Sequence, residues 1–283
     1  MKHIALCLNE GYLPFALTTM KSVLMHNDKN DVTFHLLTDG IGEKGRKRIE
    51  KLLGGVNNIY IHTVKDESRL DGLNLAWTKY TWYRVLIPEL LSNSIDRVLY
   101  LDCDVCVCDR LDELFGMDLT DKAIAAAIDP ESYMDNVYTR LSLRREDGYI
   151  CAGVLMMNLD FWRKNKTADK ILDYGRKYPH LTHFPDQDAI NVICQTSKII
   201  LSPQYSPFLR IAKFYPEQEW KEYFNHPTIV HFAGCAPWKG NPNNHPFHYF
   251  WWEAFNKLPF WFWNVRWNFF RQQMKITLKK YIN

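Results

Sequence analysis

No stretch of this 283-residue chain approaches the roughly 18 consecutive apolar residues that a membrane-spanning helix requires, so a spanning segment is not expected. A strong excess of one charge is also missing. The 35 basic and 32 acidic residues leave a net charge of +3, too mild to imply nucleic-acid binding. Cysteine pairs at disulfide spacing are absent: the seven cysteines are an odd, scattered set, and the opening MKHIALCLNE reads as a strand rather than a leader. A reducing, cytoplasmic setting is the expectation that follows. There is no GxGxxG after the first apolar run and no Walker loop, so neither dinucleotide binding nor P-loop phosphate cradling is supported.

What is present is alternation. Apolar runs suited to buried strands occur at His3 to Leu8, Val32 to Leu37, Ile59 to Val64, Arg97 to Val105, Ala123 to Ile128, Gly153 to Met157 and Thr228 to Phe232. Helix-period segments fall at Pro14 to His26, Gly42 to Leu53, Leu75 to Leu91, Ala168 to Tyr178 and Asp186 to Cys194, and a Pro-rich loop is expected from Ser202 to Pro216. This succession predicts an α/β fold with a mainly parallel sheet. Ligands in such sheets sit beyond the carboxyl ends of the strands. The polar residues there are Asn9, Asp39, the Asp102/Asp104 pair and Asp129.

In VLYLDCDV the two carboxylates are two residues apart where a strand ends, and strand periodicity places both on one side. They either share a hard divalent cation or repel one another; the alternative is a solvated strand terminus. Cys103, Cys106 and Cys108 lie in an extended run that lacks the turn of a structural zinc site, so buried inert thiols are expected. His231, at the end of a later strand, would complete an O/O/N set suited to Mn²⁺ better than to Mg²⁺, or is simply a packed histidine. Gly234 and Lys239 after it form a candidate phosphate clamp. Asp186 and Gln187 open a helix, either as a capping motif or as a polar cluster for a hydroxylated ligand. Arg84, among Trp77, Tyr80, Trp82 and Tyr83, either snorkels at the surface or reaches an anion.

Taken in order, YRVLIPELL, VLYLDCDV, AGVLMMNL, DQDAIN and HFAGxxPW resemble glycosyltransferase family 8, the retaining enzymes that include bacterial lipopolysaccharide galactosyl- and glucosyltransferases and, more distantly, glycogenin. The resemblance covers roughly residues 1 to 240. It implies a nucleotide-diphospho-sugar transferase (GT-A type) fold, a UDP-sugar donor, and transfer of galactose or glucose to a glycan or lipid-linked glycan acceptor such as a lipopolysaccharide or capsule precursor. By the same resemblance Asp102, Asp104 and His231 would hold Mn²⁺, with Mg²⁺ as a substitute. The donor would meet Asn9, Tyr12, Arg84, Asp102, Cys151, Ala152, Gly153, Asp186, Gly234 and Lys239, and Asp129 would lie on the acceptor side. Asp186 and Gln187 would be the catalytic pair, with front-face attack favoured over a covalent intermediate. Three positions depart from the family pattern: Asn9 where Asp is usual, Cys151 where Asn is common, and a last motif one residue shorter with Lys239 after Pro237-Trp238. Two other readings stand beside the transferase: a catalytically impaired nucleotide-sugar or glycan-binding protein of the same fold, and a metal-dependent phosphoryl transferase.

The composition changes again near residue 246, dividing a catalytic domain, 1–245, from an aromatic and basic extension, 246–283. On a helix from Pro259, residues Phe260, Trp263, Trp267, Phe270, Met274 and Leu278 share one stripe, while Arg266, Lys275, Lys279 and Lys280 lie off it. An amphipathic tail of this kind suits peripheral contact of 259–283 with an anionic membrane, on the inner face of the cytoplasmic membrane, or packing onto the domain itself or onto another subunit.

Overall fold

The computed structural model describes residues 1–53, 58–129, 136–206, 226–239, 245–259 and 262–282. Its main sheet contains β1 (Lys2–Cys7), β2 (Val32–Thr38), β3 (Ile59–Thr63), β4 (Arg97–Leu101), β6 (Ile124–Ala127), β7 (Val154–Asn158) and β8 (Lys198–Leu201), in the order β3-β2-β1-β4-β7-β6-β8. Strands β3, β2, β1 and β4 are parallel neighbours, as are β6 and β8, while β7 runs antiparallel between β4 and β6. The mainly parallel α/β sheet is present, with β7 as its reversed member. Strands β5 (Val105–Val107) and β9 (Ile229–His231) form a separate antiparallel ladder.

Helices α1 (Leu13–His26) and α2 (Glu43–Leu53) follow the first two strands. Next come α3 (Lys79–Tyr83), α4 (Ile87–Leu90), α5 (Asp112–Gly116), α6 (Val137–Arg140), α7 (Leu159–Lys164), α8 (Thr167–Lys177) and α9 (Pro185–Ile193). The chain closes with α10 (His248–Asn256) and α11 (Trp263–Ile282).

Period-two alternation divides each central strand between two buried layers. From β1, Ile4 and Leu6 face the layer of α1, β5 and α10, whereas Ala5 and Cys7 face that of Trp82, Val85 and Ile171. From β4, Leu99 and Leu101 join the first layer and Val98 and Tyr100 the second. Trp251, Ala254 and Phe255 of α10, together with Phe262 and Val265, are buried in that same first layer.

Two expected elements differ. The run Arg97 to Val105 is not one strand, because residues 102–104 turn the chain out of the main sheet and hand it to β9. Helix α1 fixes this departure: Thr19 Oγ1 donates to the Val105 carbonyl at 2.7 Å, and Ser22 Oγ accepts the Val107 N–H at 2.9 Å. The helix expected over Leu75 to Leu91 starts only at Lys79, where Thr78 accepts the Tyr80 N–H as N-cap, and it breaks into α3, a 3₁₀ turn and α4 with Pro88 in the first turn of α4. Leu75 and Trp77 lie before it and are exposed rather than part of an apolar helix face. Strand β8 was not anticipated, since its four residues carry a lysine and a half-exposed Ile200. Of the Pro-rich loop, residues 207–216 lie outside the described residues, as does Phe260.

Candidate active site

The site is assembled by register. β4 pairs with β7 so that Leu101 faces Val154, and one step on the Asp102 N–H donates to the Gly153 carbonyl at 2.8 Å. β5 pairs with β9 so that Val105 faces His231, and the Phe232 N–H donates to the Asp104 carbonyl at 2.9 Å. These two ladders bring three segments distant in sequence onto one spot. His231 Nε2 lies 3.2 Å from Asp104 Oδ1 and 3.8 Å from Asp102 Oδ2, and ligand atoms of all three residues fall within 4.8 Å of one another. The two carboxylates converge from the tight 102–104 turn rather than by the strand periodicity expected for them.

Gly153 is what lets the cluster close. A Cβ on it would stand 2.1 Å from His231 Cε1 and 2.8 Å from Asp102 Oδ2. The donor set is two carboxylates and one imidazole in van der Waals contact with a bare backbone, which suits a divalent cation such as Mn²⁺. The acidic pair also governs the imidazole, which gives up its proton when it ligates a cation. Burial works against a charged His231, but Asp104 and then Cys151 outweigh it and hold the imidazole well above its usual range, while His231 keeps Asp104 below the usual carboxylate range against the pull of burial.

Arg84 ties this cluster to the next. Its guanidinium is buried, with Nη2 3.2 Å from Asp102 Oδ1, Nε 3.0 Å from Asp186 Oδ2 and Nη1 donating to the Ala152 carbonyl, and it lies 4.5 Å over the Tyr100 ring. Nε also donates to the Thr81 carbonyl at 2.9 Å, so Asp186 Oδ2 is paired in charge yet has no aligned hydrogen bond. Burial pushes the Asp186 carboxyl upward, opposed by Arg84 and reinforced by Asp102. A buried carboxylate oxygen with open lone pairs is a ready acceptor for a hydroxyl donor.

Gln187, one residue further along α9, is held at both ends. Its Oε1 accepts the Ala152 N–H at 2.9 Å, and its Nε2 donates to Asp129 Oδ2 at 2.8 Å and to the Tyr149 hydroxyl at 3.0 Å. Tyr149 in turn donates to Asp188 Oδ1 at 2.6 Å, and Asp188 is bound by Arg140 at 2.8 Å. Asn191 Oδ1 accepts the Ile150 N–H at 2.8 Å, which pins α9 to the chain entering β7.

Arg84, Asp102, Asp104, Asp129, Cys151, Ala152, Gly153, Asp186, Gln187 and His231 are thus brought into one connected cluster. Asn9 instead accepts the Tyr12 N–H at 3.0 Å and caps the turn that carries Tyr12. The Tyr12 phenol is shifted up by burial and then by Asp104, Cys103 and Asp102, placing it in the field of the acidic pair. Gly234, at φ 72°, and Lys239 are exposed on the loop after β9, whose Trp238 stacks on Phe15 of α1 at 3.9 Å. Cys103 and Cys106 are buried free thiols that pack in the core, and Cys108 is a partly exposed free thiol packed against it. Tyr100, Tyr149, Asp188 and Arg140 were not singled out from sequence, because nothing in their spacing marks a hydroxyl or an ion pair as a support for residues elsewhere.

The family model for glycosyl transferase family 8 matches residues 3–241. General stress protein A of Bacillus subtilis is 26% identical over 285 residues, covering 93% of this chain and 95% of its own. Glycosyltransferase GlyF of Streptococcus pneumoniae is 30% identical over 243 residues, covering 84% of this chain but only 57% of GlyF, so the chain spans just over half of that relative. The lipopolysaccharide 1,3-galactosyltransferase of Salmonella typhimurium is 25% identical over 83% of this chain and 72% of its own. Among solved structures, galactosyltransferase LgtC in complex with donor and acceptor sugar analogues superposes with a TM-score of 0.82 at 23% identity, covering 94% of this chain and 99% of LgtC.

Proposed function

The chain belongs to glycosyltransferase family 8, and from that premise we propose that it moves a hexose, galactose or glucose, from a UDP-sugar to a surface-glycan or lipid-linked glycan acceptor with retention of configuration. The observation that carries this reading is the junction of the Asp102/Asp104/His231 set with Asp186-Gln187 through one buried arginine. The names of relatives that act on lipopolysaccharide support the acceptor class.

Asp102, Asp104 and His231 would hold Mn²⁺, with Mg²⁺ as a weaker substitute. Bound there, the ion supplies positive charge against the negative charge that develops on a departing UDP. Arg84 opposes the upward pull of burial on the Asp186 carboxyl and orients it, so that Oδ2 accepts from a hydroxyl of the donor hexose. Gln187 is a poor nucleophile: its oxygen already accepts the Ala152 N–H, and its nitrogen donates to Asp129 and Tyr149. Asp186 is bound in charge to Arg84. Gln187 being committed at both ends, front-face transfer is the favoured route, in which Gln187 steadies the sugar and a phosphate oxygen of the departing UDP takes the acceptor's proton. Asp129, buried beside Gln187, faces the acceptor side.

The tail supports a peripheral membrane role. Trp263, Trp267, Phe270 and Met274 repeat along one side of α11 and are 72%, 58%, 52% and 43% exposed, an unusual display for a packed helix. Beside them Arg48 lies 4.5 Å over the Phe262 ring, and α2 presents Lys44, Lys47, Arg48 and Lys51 along one face. Exposed indoles with neighbouring cations match an anionic lipid surface. No described helix is long and apolar enough to cross a membrane.

A panel of UDP- and other nucleotide-sugars, assayed for Mn²⁺-dependent donor hydrolysis, tests the reading. Turnover of UDP-galactose or UDP-glucose that Asp104→Asn lowers by about 10²-fold or more supports it, in line with removal of a charge-stabilising group. UDP binding without any turnover would favour the impaired binding protein instead.

A further inference from the structure

Cys151 has no counterpart among ordinary core thiols of this chain. It is 4% exposed, at the entry to β7, and its Sγ stands 3.6 Å from His231 Nδ1, on the ring edge opposite the acidic pair. The same sulfur accepts the Gly153 N–H at 3.5 Å, and the Cys151 N–H donates to the Ala127 carbonyl at 2.9 Å, so both its backbone and its side chain are fixed.

We propose that Cys151 is a positioning residue that holds the His231 ring in one plane; this rests on the reading of Asp102, Asp104 and His231 as a metal set. In the metal-free chain His231 Nε2 faces Asp104 at 3.2 Å and Nδ1 faces the Cys151 sulfur at 3.6 Å. To ligate a cation, Nε2 must present a lone pair, and in the neutral ring the proton then resides on Nδ1. A thiol sulfur serves that state from where it already stands, 3.6 Å away, since it accepts from a protonated Nδ1. The ring therefore need not turn when a cation binds. Partners of this kind behind a ligating imidazole typically contribute 10- to 100-fold to metal affinity.

The test is Mn²⁺ affinity, read from the electron paramagnetic resonance of free Mn²⁺ without any sugar donor, in the full chain and in Cys151→Val, Cys151→Ser and Asp104→Asn. Cys151→Val keeps the volume and loses the hydrogen bond; it is expected to raise the Kd by about 10-fold or more. Cys151→Ser keeps a donor and acceptor and is expected within about threefold of the parent. Nitrogen-15 spectra with Mg²⁺ bound add a second readout: the His231 Nδ1–H of the parent and of Cys151→Ser shows the shift of a hydrogen-bonded N–H, and that of Cys151→Val loses it. An unchanged Kd in Cys151→Val, with binding lost in Asp104→Asn, overturns the role of Cys151 and leaves the metal set standing. No Mn²⁺ binding by the parent overturns both.

Discussion

Replacing Gly153 by alanine tests whether the cluster is a built site or an accidental meeting of side chains. The added methyl would stand 2.1 Å from His231 Cε1, 2.8 Å from its Nδ1 and 2.8 Å from Asp102 Oδ2. Carbon atoms in contact settle near 3.5–4.0 Å, so the imidazole would have to retreat by well over ~1 Å. Its route is blocked by the Cys151 sulfur at 3.6 Å and by β5 on the other side of the ladder. Overpacking of this kind costs about 1–3 kcal/mol, which lowers Tm by a few degrees in a chain of this size without unfolding it. The effect on function is larger, because a displacement of ~1 Å at a reacting centre costs about 10²-fold in rate. Gly153→Ala should therefore fold, by circular dichroism and thermal melting, while its Mn²⁺ affinity and its kcat/KM for donor hydrolysis both fall by about 10²-fold. Gly116→Ala is the control, since a Cβ there meets open space. A folded Gly153→Ala protein that binds Mn²⁺ as the parent does would refute the geometric reasoning.

Lys198, 8% exposed on β8, has its ammonium pushed down to about 8 by burial. Between pH 8 and about 10.5 the unfolded chain binds the extra proton, so the stability of the parent rises with pH there by on the order of 3 kcal/mol. Lys198→Met should flatten that rise in urea titrations and be the more stable protein at pH 7; an equal slope in both would count against the assignment. His35 is buried between His3 and His62, with ring nitrogens at 3.0 and 3.1 Å, and burial, then His62 and His3, drive it down to about 3. Below pH 6.5 the unfolded chain gains the proton first, so stability falls as pH drops toward 3, and His35→Gln should show a shallower acid limb in thermal melts. For the tail, Trp263→Ser with Trp267→Ser should reduce co-sedimentation with phosphatidylserine vesicles by about tenfold or more, and Lys44→Glu with Lys51→Glu should remove its salt dependence. Vesicle binding unchanged in both variants would refute the membrane role.

Much of the fold was legible because its signals are local. The unbroken apolar run VLYL and the helix period of Pro14 to His26 each follow from a few neighbouring residues. The candidate site was legible only as motifs in order. Each motif is weak alone, and their meeting depends on β7 entering the sheet in reverse, which no residue in AGVLMMNL announces. The turn at 102–104 was hidden because Cys103, Val105 and Cys106 continue the apolar run of β4 into β5. The segment from Leu75 to Tyr83 misled for the opposite reason: its aromatic residues carry helical spacing, but Trp77 lies 5.6 Å from Phe184 across an exposed loop instead of facing the core.

The charges of the site bind its halves together. Asp102, Asp104 and Asp186 place three carboxylates where Arg84 supplies one positive charge, and once His231 gives up its proton to ligate, two negative charges are left uncompensated among these residues. Burial makes such an imbalance costly unless a further cation arrives, which is the condition under which an acidic pair attracts a divalent ion more strongly than a surface pair would. Because Arg84 is shared, removing either Asp102 or Asp186 releases the guanidinium toward the other. Substitutions at the two positions should therefore be non-additive, although the residues belong to motifs 84 positions apart in sequence. The metal-binding and sugar-binding halves are in this sense one electrostatic unit, and Arg84 sets their spacing.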